Sequence, residues 1–163
     1  MKKNLLIFIL GAAAIIVLDQ ITKSAIVSRF VLHEAYPVIP GFFNLVYVMN
    51  PGAAFGFLAA ASETFRFVFF TAITLAALLL IVYYLVKTPL RSAMLVWALA
   101  FIFGGALGNL IDRLRFGAVV DFLDVYLGSA HWPAFNVADS AITIGAALVI
   151  WDMISTRKVK DAT

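Results

Sequence analysis

The chain has 163 residues, of which 64% are hydrophobic and 13% are charged, and its mean hydropathy is +1.03. A soluble domain of this length needs more polar surface, so the composition indicates an integral membrane protein. The absence of cysteine excludes disulfides, thiolate catalysis, cysteine-bound metals and a lipid anchor on a cysteine of its own, and the net charge of +3 comes without a basic stripe for nucleic acid.

Four apolar stretches approach the roughly 20 residues that a helix needs to cross a hydrocarbon core of about 30 Å. They run over residues 5–27, 67–86, 93–111 and 135–154. The first contains Asp19 and Lys23, and a short segment with Pro89 separates the second from the third. We therefore predict one membrane domain of four transmembrane helices over residues 1–163.

Lysine and arginine are distributed unequally between the two predicted sides of the membrane. One side carries Lys2, Lys3, Lys87, Arg91, Arg157, Lys158 and Lys160, and the other carries Lys23, Arg29, Arg66, Arg113 and Arg115. The positive-inside rule then places both termini in the cytoplasm. The first span also resembles a cleavable signal peptide. We favour an uncleaved anchor, because apolar sequence continues past residues 12–14 and cleavage would leave an odd number of spans.

The two outer loops contain strand-like segments. Residues 42–49 are rich in β-branched and aromatic side chains and end at an Asn-Pro-Gly turn, residues 50–52. Residues 118–126 have a similar composition. The sequence thus predicts strands on the outer side of the membrane.

Polar residues from three spans fall at one predicted depth. At a rise of 1.5 Å per residue, Asp19 lies roughly 24 Å above Lys3, Asn109 roughly 27 Å above Arg91, and Asp139 roughly 27 Å above Arg157. An ionisable residue inside a span is costly and points to function. We therefore expect a polar site near the outer edge of the hydrocarbon.

Helical spacing groups further polar residues and glycines in the third span. Asn109, Asp112 and Arg113 are three and four residues apart and share a helix face. The pattern from Gly104 to Gly108 would let another helix approach closely, and simple helix packing explains these glycines equally well.

Structural interpretations also exist for the charged residues. Asp112 with Arg113 would form a local ion pair at the water interface, and Asp19 with Lys23 would form an i,i+4 pair. Asp139 would complement the dipole of the fourth helix, although Asn136 already suits the cap position.

The residue types narrow the possible chemistry. The two histidines, His33 and His131, lie in loops, which argues against a zinc protease or a Ser-His-Asp triad. The remaining candidates are the carboxylates of Asp121, Asp124 and Asp139. Two carboxylates held close together share a proton, as in aspartic proteases. The spacing alone does not choose between Asp121 and Asp124 as the partner of Asp139.

Five sequence blocks together resemble the bacterial lipoprotein signal peptidase family, signal peptidase II. They are residues 19–23 (DQITK), 50–56 (NPGAAFG), 104–113 (GGALGNLIDR), 119–122 (VVDF) and 135–140 (FNVADS). The resemblance implies an intramembrane aspartyl endopeptidase with Asp121 and Asp139 as its catalytic pair. It also implies a set of residues that bind substrate or support the site: Asp19, Lys23, Asn50, Gly52, Asn109, Arg113, Asn136 and Ala138.

The same resemblance implies the substrate and the setting. Members remove signal peptides from diacylglyceryl-modified prolipoproteins, on the N-terminal side of the lipidated cysteine, near the outer leaflet of the bacterial inner membrane. They need no cofactor or metal, and we expect a monomer that binds substrate and lipid but no nucleic acid. Residues 28–64 would supply a small β-cradle and an amphipathic helix, and Asp124 would be accessory. We also hypothesise that the backbone of residues 52–54 approaches the substrate peptide.

Two other functions, a small transporter and an assembly factor, explain the sequence less well. A small transporter would use Asp19, Asp112 and Asp139 as an ion path, but the inner halves of the spans are nearly free of polar residues apart from Asp152. An assembly factor would use the glycine-rich face of the third span to bind partner helices, but this does not explain carboxylates at one depth.

Overall fold

The computed structural model of the chain describes residues 2–52, 58, 60–88 and 92–160. Within these residues the helices are α1 (Lys2–Arg29), α2 (Glu63–Lys87), α3 (Ala93–Phe116) and α4 (Val137–Lys160). The strands in the same residues are β1 (Ala35–Ile39), β2 (Phe43–Asn50), β3 (Val119–Leu127) and β4 (Ala130–His131). All four described helices are long and apolar enough to cross a membrane, which confirms the predicted spans.

The helix ends follow local capping chemistry. The Ser62 hydroxyl accepts a hydrogen bond of 3.2 Å from the backbone N–H of Phe65 and caps α2, which begins before the predicted residue 67. The predicted start of the fourth span at residue 135 was two residues early. Phe135 instead exchanges backbone hydrogen bonds of 2.8 and 3.0 Å with Leu123 in β3, so α4 begins at Val137.

Helix α3 packs between α1 and α4 through its small residues. A Cβ atom on Gly104 would lie 2.8 Å from the backbone oxygen of Ala12 in α1. A Cβ atom on Gly105 would overlap the backbone oxygen of Ala138 in α4. These contacts confirm that the glycines of α3 allow close helix packing.

The inner part of the helix bundle is apolar. One core cluster joins α1, α2 and α3 and contains Phe8, Ala12, Ile81, Val96, Leu99 and Ala100. The Phe8 and Phe103 rings pack edge to face, and their centroids are 5.4 Å apart. Many large apolar side chains of α1 and α2 face outward instead, as they do in helices surrounded by lipid.

The strands form an antiparallel sheet with the order β1-β2-β3-β4 among the described residues. Val48 of β2 lies opposite Asp121 of β3, and Asn50 lies opposite Val119. The strands predicted over residues 42–49 and 118–126 are therefore present. The amphipathic helix was expected within residues 28–64, and residues 53–57 and 59 of this range lie outside the described part of the chain.

Candidate active site

Asp121 lies in β3, where the sheet meets the C-terminal ends of α1 and α3 and the N-terminal end of α4, and only 1% of its surface is exposed. Its two carboxylate oxygens accept hydrogen bonds from different segments. Asn50, the last residue of β2, donates from Nδ2 to Oδ2 over 2.9 Å, and Asn136 donates from Nδ2 to Oδ1 over 2.7 Å. These two amides hold the carboxylate in one orientation.

The surroundings of Asp121 disfavour its ionised form. Burial raises the pKa of the Asp121 carboxyl from 3.8 to about 7, and the nearby charge of Asp139 adds to the increase. The hydrogen bonds from Asn50 and Asn136 act in the opposite direction. The Asp121 carboxyl can therefore gain or lose a proton near neutral pH, as a general acid or base requires.

Asp139 lies in the first turn of α4 and is tied to Asn136 by reciprocal hydrogen bonds. The Asp139 N–H donates to the Asn136 side-chain oxygen over 2.9 Å, and the Asn136 N–H donates to Asp139 Oδ2 over 3.3 Å. This is the geometry of a capping box. Because the Asn136 side chain also bonds Asp121, one residue connects the two carboxylates.

Asn109 of α3 provides the second hydrogen bond to Asp139. Its Nδ2 donates to Asp139 Oδ1 over 2.7 Å, and its side-chain oxygen accepts from Lys23 Nζ over 2.9 Å. A lysine only donates, so the contact with Lys23 fixes which end of the amide faces Asp139. Lys23 thus orients a residue that contacts the candidate pair.

The Lys23 ammonium group is buried and has three partners. Besides Asn109, it lies 2.9 Å from Asp19 Oδ2 and 2.9 Å from Asp112 Oδ2. The expected Asp19–Lys23 pair is therefore present, and it extends to α3. Among the described residues, the ion pair of Asp112 is with Lys23 rather than with Arg113 as the structural interpretation expected.

The two carboxylates that pair with Lys23 also hold backbone next to the candidate pair. Asp112 Oδ2 accepts from the N–H of Val120 over 3.1 Å, directly before Asp121. Asp19 Oδ1 accepts from the N–H of Ala138 over 3.0 Å, directly before Asp139. This gives Ala138, expected from the resemblance, a structural place.

Gln20 was missed by the sequence analysis. Its amide donates to Asp112 Oδ1 over 3.0 Å and to the backbone oxygen of Gly108 over 3.2 Å, which joins α1 to α3. The same amide lies 3.2 Å from Asp19 Oδ2. The only sequence signal was its position beside Asp19, which does not reveal the facing helix.

Arg113 and Gly52 both contact Phe70 of α2. The Arg113 guanidinium carbon lies 5.7 Å from the centre of the Phe70 ring. Gly52 has a φ of +99°, and a Cβ atom there would overlap the same ring. Its N–H donates to the Asn50 side-chain oxygen over 2.8 Å, and this contact orients the Asn50 Nδ2 towards Asp121. Residues 53 and 54 lie outside the described residues.

Asp124 is not part of this network. Successive side chains of a strand point to opposite faces, so residues three apart, such as Asp121 and Asp124, face different ways. Asp124 instead accepts a hydrogen bond of 2.8 Å from Asn44 Nδ2 and lies 2.8 Å from His131 Nδ1. The geometry therefore favours Asp121 as the carboxylate closest to the Asp139 network.

No group of three or more His, Asp or Glu side chains in the described ranges could hold a metal ion. A cavity of about 470 Å³ lies between the end of β2, the start of α2 and the end of α3. Met49 and Pro51, the neighbours of Asn50, form part of its lining. The candidate site itself consists of hydrogen-bonded carboxylates with the ammonium group of Lys23 buried behind them.

Comparison with known proteins gives concordant matches. The family model described as signal peptidase (SPase) II matches residues 11–155. A lipoprotein signal peptidase of Syntrophus aciditrophicus is 54% identical over 160 residues, which cover 98% of this chain and 99% of that protein. A lipoprotein signal peptidase of Ralstonia nicotianae is 56% identical over 145 residues, which cover 89% of this chain and 81% of that protein.

Two solved structures of bacterial membrane enzymes, both obtained by the in meso method, have the same fold. The first superimposes with a TM-score of 0.83 at 36% identity and covers 94% of this chain and 90% of its own. The second superimposes with a TM-score of 0.79 at 34% identity and covers 90% of this chain and 91% of its own.

Proposed function

Since the chain belongs to the signal peptidase II family, and is thus a multi-pass membrane peptidase that cleaves lipoprotein signal peptides, we propose that it is an intramembrane aspartyl endopeptidase. Asp121 and Asp139 form its catalytic pair. The observation that carries this assignment is that Asn136 bonds both carboxylates, from its side chain to Asp121 and from its backbone to Asp139. Two carboxylates joined in this way, one of them buried and the other partly exposed, suit acid–base catalysis.

The pair works with one shared proton. The ionised carboxylate removes a proton from a water molecule, which attacks the scissile carbonyl carbon, while the protonated carboxyl donates a hydrogen bond to the carbonyl oxygen. Proton transfer to the leaving amine then releases the two peptide products. A pKa of about 7 for Asp121 keeps both protonation states accessible at neutral pH.

Asn50, Asn109 and Asn136 hold the carboxylates in position through hydrogen bonds. Lys23 and Asp19 support them from α1, and Arg113 with Gly52 lines the side towards α2. Preorganised donors of this kind need no rearrangement during the reaction.

The position of the site in the bundle supports a lipidated substrate. The polar network lies near the outer ends of the helices, where they meet the sheet. A diacylglyceryl group anchored in the outer leaflet would present the peptide bond before its cysteine at this level. The enzyme then lies in the inner membrane with both termini in the cytoplasm, acts as a monomer, and needs neither a cofactor nor nucleic acid.

The test uses purified full-length protein in lipid with a diacylglyceryl-modified prolipoprotein and an unlipidated control. The wild type is compared with Asp121→Asn, Asp139→Asn and Asp124→Asn, and each variant is checked for a cooperative thermal transition. We expect the wild type to cleave only the lipidated substrate, before the modified cysteine. Asp121→Asn and Asp139→Asn should each lower the cleavage rate by more than about 10³-fold. Full activity in either variant would refute the pair.

A further inference from the structure

A second polar cluster, made by Asn44, Asp124, Tyr126 and His131, lies outside the catalytic network. Asp124 accepts from Asn44 over 2.8 Å and contacts His131 Nδ1 over 2.8 Å. A carboxylate has no proton to donate and can only accept hydrogen bonds, so the Nδ1–H group of His131 is the donor to Asp124. The His131 ring stacks on Tyr126 with a centroid distance of 4.7 Å and an interplanar angle of 5°.

The cluster is anchored from both sides. The Tyr126 hydroxyl accepts from the N–H of Gly41 over 2.9 Å, in the turn between β1 and β2. The Asp124 side chain is 10% exposed, whereas that of His131 is 50% exposed. A nearly buried carboxylate therefore holds a histidine that solvent reaches, and the charge of that carboxylate is compensated by two donors.

These contacts close the segment that joins the two catalytic carboxylates. The N–H of Trp132 donates to the backbone oxygen of Val125 over 2.9 Å, and Phe135 then pairs with Leu123. The next residue along the chain is Asn136. The path from β3 out to the β4 hairpin and back is thus held by backbone contacts at the hairpin, at Trp132 and at Phe135.

We propose that Asp124 and His131 form a positioning pair, whose hydrogen bond closes the segment between β3 and α4 and so sets the distance at which Asn136 and Asp139 face Asp121. The proposal rests on the catalytic assignment above. Without the Asp124–His131 hydrogen bond the segment is held less firmly, so the Phe135–Leu123 pairing and the Asn136 amide can shift. A displacement of 1 Å costs on the order of 10²-fold in rate.

In the experiment, His131 is replaced by asparagine or by aspartate, which are similar to each other in size but differ in whether they donate a hydrogen bond. The His131→Asn variant keeps a side-chain N–H near the place of Nδ1, whereas His131→Asp places an acceptor there and repels Asp124. His131→Ala, Asp124→Ala and their double variant complete the set. The full-length protein in lipid is assayed for kcat and KM with the diacylglyceryl-modified substrate, and its thermal midpoint is recorded.

We expect His131→Ala, His131→Asp and Asp124→Ala to lower kcat about tenfold or more, with KM changed less than about twofold. His131→Asn should retain most of the wild-type kcat. The double variant should be no slower than the slower single variant, because the two residues act as one unit. A purely structural hairpin contact would lower the thermal midpoint without this pattern in kcat.

Wild-type kcat in folded His131→Ala, equal kcat in His131→Asn and His131→Asp, or additive losses in the double variant would each overturn the positioning role. If the alanine variants do not fold, the comparison of asparagine with aspartate decides. Asp121→Asn is included as a reference. An active Asp121→Asn would refute the catalytic pair, whereas an inactive one beside a fully active His131→Ala would refute the positioning pair alone.

Discussion

The side-chain amide of Asn136 donates to the Asp121 carboxylate over 2.7 Å, while the side-chain oxygen of the same amide accepts from the N–H of Asp139 over 2.9 Å. The residue that caps α4 therefore also binds the strand across from it. Helix capping and the contact with Asp121 in the proposed catalytic pair depend on opposite ends of one amide, so the amide donor can be removed while the cap is kept.

We predict that Asn136→Ser lowers kcat by about 10- to 100-fold, because it removes the amide donor to Asp121. The serine hydroxyl can still accept from Asp139 N–H, so the helix keeps its cap. The cost in free energy of unfolding should be about 1–3 kcal/mol, from lost buried hydrogen bonds. Steady-state kinetics and thermal unfolding in detergent measure the two effects.

Asn136→Ala is the matched control, since it loses the cap as well and should be about 1 kcal/mol less stable than the serine variant. A wild-type kcat in Asn136→Ser would show that the amide does not align Asp121.

Hydropathy predicted the four spans because every crossing needs about 20 apolar residues whatever its neighbours are. Composition likewise predicted β2 and β3. The start of α4 was placed too early because Phe135 is as apolar as a helix residue, yet its backbone pairs with Leu123. Hydropathy does not register which backbone partner a residue has.

Part of the candidate site could be predicted from the sequence. Equal depth brought Asp19, Asn109 and Asp139 together, since the rise of a helix is fixed. The partners of Lys23 and Gln20 on α3 could not be predicted, because they depend on which helix faces meet. The spacing gave no choice between Asp121 and Asp124, and strand alternation with the observed register favours Asp121 as the proposed partner of Asp139.

The pKa of about 7 for Asp121 predicts a pH-dependent stability. The native carboxyl binds its proton more tightly than the unfolded one, with a pKa of 3.8, so protonation favours the native state. The free energy of unfolding should decrease as the pH rises from about 4 to about 7 and then level off. A difference of about 3 pKa units corresponds to about 4 kcal/mol, an upper limit.

Asp121→Asn has no such titration. The stability of this variant relative to wild type should therefore increase between pH 4 and pH 8, as measured by thermal midpoints in one detergent. Parallel pH curves for the two proteins would contradict a perturbed carboxyl at this position.

The proton shared by the proposed Asp121–Asp139 pair also sets the upper pH limit of activity. The pair needs one shared proton, and raising the pH through about 7 ionises Asp121 and removes it. We expect kcat/KM to fall about tenfold per pH unit above an apparent pKa near 7, which belongs to the pair as a whole. A profile that stays flat to pH 9, with a stable enzyme, would contradict the shared proton.

Lys23→Met should be strongly destabilising. It leaves the carboxylates of Asp19 and Asp112, which are 0% and 1% exposed, without their cation. Breaking a buried ion pair in this way costs about 3–5 kcal/mol. Thermal unfolding in detergent measures the loss, and adding Asp112→Asn should recover part of it by removing one uncompensated charge. A loss below about 1 kcal/mol in Lys23→Met would show that these carboxylates are already neutral or hydrated.

Gly105→Ala tests whether close packing of α3 on α4 sets the position of Asp139. The added Cβ would overlap the backbone oxygen of Ala138 and come within 2.9 Å of Ile142 Cγ1. Backbone must move to relieve this, at a cost of about 1–3 kcal/mol. Because Asp139 follows Ala138, the movement carries the carboxylate away from Asn109, and kcat should fall about tenfold or more.

Gly117→Ala is the matched control for Gly105→Ala. Gly117, directly after the end of α3, has a φ of +74° and no neighbour within 4 Å of an added Cβ. An alanine there costs roughly 1–2 kcal/mol of backbone strain but displaces no helix. We therefore expect similar losses of stability in the two variants and a loss of kcat only in Gly105→Ala. Equal kcat in the two folded variants would show that the position of Asp139 tolerates a change in helix spacing.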